Sequence, residues 1–164
     1  MIVLVRLDER MIHGQVAIKW ARHTSPDRII VANDEASKSE LVQKSLMMAA
    51  PPTCKTAIKS VAESIELMND PRCTPLRILV IVSSPEDLLS VINAVPGIPL
   101  INVGNYGRIA PRQAGKTRKE YGINLYAYPE EVEIFAKVLE TGIECVYQTT
   151  PEDAPVSLKN ALNL

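Results

Sequence analysis

Four short runs of Ile, Val and Leu, at residues 2–7, 28–32, 77–82 and 100–103, show little alternation between apolar and polar positions. A strand wetted on one face alternates with a period of two. A strand apolar at nearly every position is buried on both faces, as in parallel sheets. Helical patterns lie between these runs. Gly14 opens a helix reaching about Arg22. Leu41, Ser45 and Met48 lie on a second, which Pro51-Pro52 ends before a short strand at 54–58. Ser60 with Glu63 forms a capping box for a third, and Ser84-Pro85-Glu86-Asp87 supplies an N-cap, a first-turn proline and acids for a fourth. A helix over 129–141 carries Val132, Phe135, Ala136 and Leu139 on one face, stops at Gly142 and leads into a strand at 144–147.

Alternation of strands and helices implies right-handed crossovers. The expected fold is α/β, a three-layer α/β/α open, mostly parallel sheet with helices on both faces. Residues 106–128 are less regular, and 104–122 are the one long loop candidate. No repeat or linker divides the chain, so residues 1–164 are expected to form a single domain. At 164 residues and 46% apolar, such a domain buries about 70% of the surface its unfolded chain exposes.

Charge and patterning exclude several classes. A net charge of −1 gives no field favouring nucleic acid or anionic lipid. No purely apolar run exceeds five residues, against about 20 for a membrane helix. Arg6 interrupts the apolar start before a signal peptide could form, so the cytoplasm is the expected compartment. Cys54, Cys73 and Cys145 are odd in number and widely spaced, which encodes neither a disulfide framework nor a zinc knuckle. Cys145 reads as a small buried hydrophobe. No metal site and no cofactor are expected.

In open α/β sheets, ligands bind beyond the carboxyl ends of the strands, where helix N-termini and loop amides converge. The residues expected there are Asp8-Glu9-Arg10-Met11-Ile12-His13-Gly14-Gln15, then Asn33-Asp34-Glu35, Ser83-Ser84, and Asn102 with Gly104-Asn105. His13 precedes a helix whose free N–H groups and positive dipole end suit an anion bonded to the imidazole. Arg10 offers a bidentate grip on phosphate, and Arg6 or Gln15 could add donors. Asp8 or Asp34 could hold the second ring nitrogen and leave a neutral, nucleophilic one facing the incoming group. His23, at the end of that helix, reads as a cation favoured by the dipole.

The string Val5-Arg6-Leu7-Asp8-Glu9-Arg10-Met11-Ile12-His13-Gly14-Gln15-Val16 resembles the N-terminal signature of the IIB component of mannose/sorbose-class sugar phosphotransferase systems. The likeness extends through Val31-Ala32-Asn33-Asp34-Glu35, Ile101-Asn102-Val103-Gly104-Asn105 and Gly142-Ile143-Glu144-Cys145. It implies that His13, on Nδ1, accepts a phosphoryl group from a phosphohistidine IIA protein. It also implies onward transfer to a sugar held by the IIC and IID membrane subunits, with which the chain would associate peripherally. The signature often reads Asp-Asp-Arg-Leu where this chain has Asp8-Glu9-Arg10-Met11, and residues 106–119 are the least family-like. The Asp8-Glu9-Arg10 and Val31-to-Glu35 strings resemble the N-acetylgalactosamine branch more than the mannose branch.

Two rival readings have their own residues. Ala110-Pro111-Arg112-Gln113-Ala114-Gly115-Lys116-Thr117 nearly matches a nucleotide-binding P-loop, with Gly115, Lys116 and Thr117 as phosphate ligands. It lacks the preceding strand and following helix that a P-loop needs. The other rival is a non-catalytic binding module. Its basic segment from Arg108 to Lys119, with Arg112, Lys116 and Arg118, would dock an acidic partner.

Overall fold

A computed structural model describes all of residues 1–164. The apolar runs form the centre of a sheet: β1 (Ile2–Asp8), β2 (Arg28–Ala32), β4 (Ile78–Val82) and β5 (Ile101–Asn105). With β3 (Lys55–Lys59), β8 (Cys145–Tyr147) and β9 (Val156–Ser157), they make seven strands in the order β3-β2-β4-β1-β5-β8-β9. All pairings are parallel except that of β9 on β8. The mostly parallel α/β architecture is the one those runs require: every residue of β4 and β5 is buried.

The apolar core divides by sheet face. On one side, Leu4, Ile29, Val31, Leu79 and Ile81 pack with Trp20 of α1 (Gly14–Thr24), Ala36 of α2 (Asp34–Lys38) and Leu46 of α3 (Glu40–Ala49). On the other, Val5, Leu7, Val80 and Val103 meet α4 (Val61–Asn69), α5 (Pro85–Ala94), α6 (Pro129–Glu140) and α7 (Leu158–Ala161). The helix starts follow the N-cap signals, although at Ser60 only the serine half of the expected capping box forms. Ser60 Oγ accepts the Glu63 N–H at 3.1 Å, and Ser84 Oγ accepts that of Asp87 at 3.1 Å ahead of Pro85.

Three of the differences from the sequence expectation bear on the site. The stretch 106–128 contains a two-stranded antiparallel hairpin, β6 (Lys119–Gly122) and β7 (Leu125–Ala127). Its strands are too short, and β6 too exposed, to show a pattern. The five-residue α2 forms because Asn33 caps it, Oδ1 accepting the Ala36 N–H at 2.8 Å. The fifth strand continues past Val103 to Asn105, with a register shift between Leu7 and Asp8 that leaves Gly104 as the extra residue against β1.

Candidate functional site

The segment joining β1 to α1 is built by its acidic residues. Asp8, 1% exposed, ends β1. Its Oδ1 accepts the Arg10 N–H at 3.0 Å, and its carbonyl accepts the Met11 N–H at 2.8 Å. The tight turn puts Met11 at φ 63°, a left-handed conformation that is unfavourable for a residue with a side chain. Buried Ile12 anchors the chain where it enters α1. Asp8, Glu9 and Ile12 therefore point inward while Arg10 is part-exposed and His13 exposed.

His13 is the N-cap of α1, with φ −134° and ψ 99°. No side chain caps this helix, and its first turn holds no acid. The positive end of the helix dipole is therefore unneutralised from within the chain, next to the imidazole. Arg10 Nε also donates to Asp8 Oδ1, at 3.3 Å, which tethers the root of a guanidinium whose side chain is 30% exposed. Gly14 and Gln15 are exposed in the first turn. A charged donor, an uncapped helix end and an open imidazole share one segment, a combination able to hold and move a phosphoryl group.

Several expected site residues do other work. Arg6 is 2% exposed, so it is no surface donor. Its guanidinium bonds Asn102 Oδ1, Asp8 Oδ2 at 3.0 Å and the Gln148 carbonyl at 3.3 Å, and lies over the Trp20 ring. Burial lowers the Arg6 pKa, and the Asp8 carboxylate opposes that shift. Asn102, fully buried, spends its Nδ2 on the same Gln148 carbonyl at 3.0 Å. The expectation that Arg6 and Asn102 face a ligand is thereby corrected: they form the floor beneath Asp8.

The expected orienting carboxylates are corrected too. Asp8 is occupied by Arg6 and Arg10, while Asp34 Oδ1 accepts the Val61 N–H at 2.9 Å, tying α2 to α4. Neither bonds the His13 ring. Asn33 Nδ2 donates to Ser83 Oγ at 2.7 Å, joining the ends of β2 and β4, and Ser84 is the α5 cap. Asn105, 4% exposed, has a side-chain oxygen without a hydrogen-bond partner. Gly104 packs against Arg6, where a Cβ would fall on the guanidinium.

Glu9 had no assigned role in the sequence and proves central. Its buried carboxylate accepts four backbone N–H groups, from Gly107, Arg108, Ile109 and Ala110. A cleft of about 530 Å³ borders it, lined in part by Ser83, Ser84, Glu86 and Tyr106. Beyond, Arg118 is clamped on Glu131 at 2.8 Å between Tyr106 and Tyr128. Burial would raise the Glu131 pKa, but hydrogen bonds from Arg118 and Tyr106 outweigh it and hold the carboxyl below its ordinary range. The only sequence hint of Glu9 was its position between Asp8 and Arg10.

The rival readings meet the same geometry. Gly115, Lys116 and Thr117 lie in an exposed loop followed by strand β6 and not by a helix, and Lys116 faces Glu130 at 3.9 Å. That removes the P-loop. Arg118 is internal, so the basic segment presents only Arg108, Arg112, Lys116 and Lys119 to solvent. No group of three or more His, Cys, Asp or Glu is placed to hold a metal ion. No helix is long and apolar enough to cross a membrane.

The profile of the PTS system sorbose subfamily IIB component matches residues 2–164. A Streptococcus pyogenes serotype M6 protein named "probable phosphotransferase enzyme IIB component" is 36% identical over 164 residues, 99% of this chain and 100% of that protein. The mannose-specific EIIAB component of Escherichia coli K12 is 29% identical over 160 residues, covering 98% of this chain and 48% of the longer protein. Among solved structures, the IIBSor domain of the sorbose permease from Klebsiella pneumoniae superposes with a TM-score of 0.89. That likeness covers 99% of this chain and 96% of the other at 24% identity, and it concerns the fold.

Proposed function

The chain belongs to the sorbose-subfamily IIB components of the sugar phosphotransferase system, and from that premise we propose that His13 is the residue that carries the phosphoryl group. Members of this family are sugar phosphotransferases acting in carbohydrate uptake. The observation that carries the assignment is the exposed imidazole at the uncapped N-terminus of α1, three residues after an arginine tethered by Asp8.

In the first step, a ring nitrogen of His13 attacks the phosphorus of a phosphohistidine on the IIA protein. A new N–P bond forms as the donor N–P bond breaks and the donor imidazole leaves. In the second, a sugar hydroxyl oxygen bonds to the same phosphorus as the His13 N–P bond breaks, and the hydroxyl proton passes to the released imidazole, which regenerates His13. The IIC and IID membrane subunits would hold that sugar, with residues 1–164 as a single IIB domain at their surface. Family precedent favours Nδ1 as the nitrogen.

Both steps develop charge on three phosphoryl oxygens, so fixed donors supply most of the rate. Arg10, the first amides of α1 and the exposed Gln15 side chain surround His13 in sequence and are the groups assigned to those oxygens. At the neighbouring strand ends, Ser83 and Ser84 line the cleft beside Glu9, and Asn105 keeps an unspent buried oxygen. The Asp8-Glu9-Arg10 and Val31-to-Glu35 strings put N-acetylgalactosamine first among the hexoses to assay.

Incubation with labelled phosphoenolpyruvate, the general phosphotransferase proteins and a mannose/sorbose-class IIA protein tests this. The expected product is one acid-labile, base-stable phosphate per chain, absent from His13→Ala. A label that persists in His13→Ala, or that survives acid, overturns the assignment.

A further inference from the structure

Loops that carry exposed apolar side chains are ordinarily mobile, because their backbone polar groups are satisfied by water. The loop after β5 is different. Glu9 Oε1 accepts the N–H groups of Gly107, Ile109 and Ala110 at 3.0, 3.2 and 3.0 Å, and Oε2 accepts that of Arg108 at 3.0 Å. Four consecutive amides thus converge on one carboxylate. Charge-assisted hydrogen bonds of this kind are about twice as strong as neutral ones.

A second clasp secures the far side. Arg118 donates to the carbonyls of Ala110 and Pro111 at 3.0 and 2.8 Å, and the Tyr128 hydroxyl accepts the Gln113 N–H at 2.9 Å. Arg118 is itself held by Glu131 at 2.8 Å.

This rigid loop presents an apolar centre with a cationic rim. Ile109 is 67% exposed, and Ile123, in the adjoining β6–β7 turn, is 74% exposed. Arg108 lies over the Tyr126 ring, its Cζ 5.6 Å from the centroid, and donates to the Ile123 carbonyl, so the two isoleucines are bridged through it. Arg112 is exposed and has no ion-pair partner. Isolated apolar side chains on a surface are ordinary. Two of them flanked by arginines on a pinned backbone match the anatomy of a protein interface.

We infer that residues 107–112 with Ile123 form the platform on which the phosphoryl-donor protein docks, and that Glu9 is the positioning residue that couples this platform to the His13 segment. The inference rests on the phosphocarrier reading of His13. Placement and charge identify the occupant. Glu9 stands between Asp8 and Arg10 in the turn that leads to His13, so the platform borders that segment at the neighbouring strand end. A protein delivering phosphate to His13 must approach within bonding distance and cover the surface beside it. Arg108 and Arg112 stand on the platform and not in the His13 segment, so their charge meets the donor protein's surface around its phosphohistidine and not the transferred group itself.

The test compares two donors on the same variants. Phosphorylated IIA protein needs a docking surface, whereas phosphoramidate, which transfers its phosphoryl to imidazole and releases ammonia, does not. Arg108→Glu with Arg112→Glu is expected to raise KM for phospho-IIA about tenfold or more, an effect in the range of electrostatic steering, with kcat and the phosphoramidate rate unchanged. Glu9→Gln should move KM in the same direction and speed amide exchange at residues 107–110, with Glu9→Asp recovering part of both. An unchanged KM for phospho-IIA in the arginine double variant overturns the platform while leaving His13 as the carrier. A wild-type chain labelled by neither donor overturns both readings.

Discussion

One oxygen of Asp8 holds Arg10 twice, accepting its backbone N–H at 3.0 Å and its side-chain Nε at 3.3 Å. The remaining guanidinium nitrogens are left to a ligand. Arg10→Ala removes a part-exposed side chain and should change stability by less than about 1 kcal/mol. Loss of one fixed charged donor from a developing phosphoryl charge should slow transfer by about 10²- to 10³-fold. Lysine keeps the charge without the planar fork, so Arg10→Lys should fall between wild type and Arg10→Ala. Rapid-quench rates beside thermal melts decide this, and an Arg10→Ala chain reacting at the wild-type rate would remove Arg10 from the site.

Asp8 carries a larger structural load. It neutralises Arg6, and both side chains are almost wholly buried. Asp8→Asn leaves a buried guanidinium without its counter-charge, a change expected to cost about 3 to 5 kcal/mol. Denaturant unfolding should show that loss as a lower midpoint. Replacing the pair together, Arg6→Met with Asp8→Leu, should recover part of it, since removing both charges is better tolerated than stranding one.

Glu131 supplies a pH signature. Its carboxyl is held below the ordinary value, with the hydrogen bonds from Arg118 and Tyr106 outweighing burial. A depressed carboxyl contributes stability that is fully present above its unfolded pKa, about 4.3, and lost as pH falls through the folded value. Arg118 and Glu131 form a buried pair, and Glu131→Gln, which strands the guanidinium, should cost about 3 kcal/mol at neutral pH. Its deficit relative to wild type should shrink as pH falls below about 4.3. A deficit of constant size from pH 7 into that acid range would show that the ionised Arg118–Glu131 pair is not what the substitution breaks.

Lys116 separates the phosphocarrier from the nucleotide-binding reading. It lies in an exposed loop and faces Glu130 at 3.9 Å, a distance at which a surface pair contributes little. Lys116→Ala should leave phosphotransfer within about threefold of wild type, an allowance of less than 1 kcal/mol. Titration calorimetry should find no ATP binding for either protein. Stoichiometric ATP binding lost in the variant would restore the P-loop.

The sequence made visible the features that are periodic or local. Unalternating runs told of a sheet buried on both faces, and caps at Ser60 and Ser84 located two helices because a cap needs only residues three apart. The segment from Asp8 to Gln15 was found because strand ends in such sheets face ligands. The features that stayed hidden depend on distant partners. Arg6 reads as a free donor until Asn102, 96 residues away, is placed beside it. Asp34 reads as a site carboxylate until α4 brings the Val61 N–H to it, and Glu9 acquires its role only when residues 107–110 fold over it. A charged residue inside an apolar run signals burial or function equally well, and only packing separates them.

Gly104 offers the sharpest check on that buried floor. It is the extra residue where β5 slips against β1, and its missing side chain makes room for Arg6. The guanidinium cannot simply swing aside, because Asn102, Asp8 and the Gln148 carbonyl hold it from one side while Trp20 covers its face. A Cβ at position 104 must therefore displace Arg6 or push the strands apart. Overpacking of this kind costs about 1 to 3 kcal/mol. A shifted Arg6 would also disturb Asp8, and through it Arg10, so Gly104→Ala should slow phosphotransfer as well as lower the melting temperature. Gly115→Ala, where an added Cβ meets nothing within 4 Å but the backbone has a positive φ, controls for a loss of stability without overpacking. It should lower stability without changing the transfer rate. A Gly104→Ala chain that melts lower yet reacts at the wild-type rate would mean that the Arg6–Asp8 pair does not set the position of Arg10.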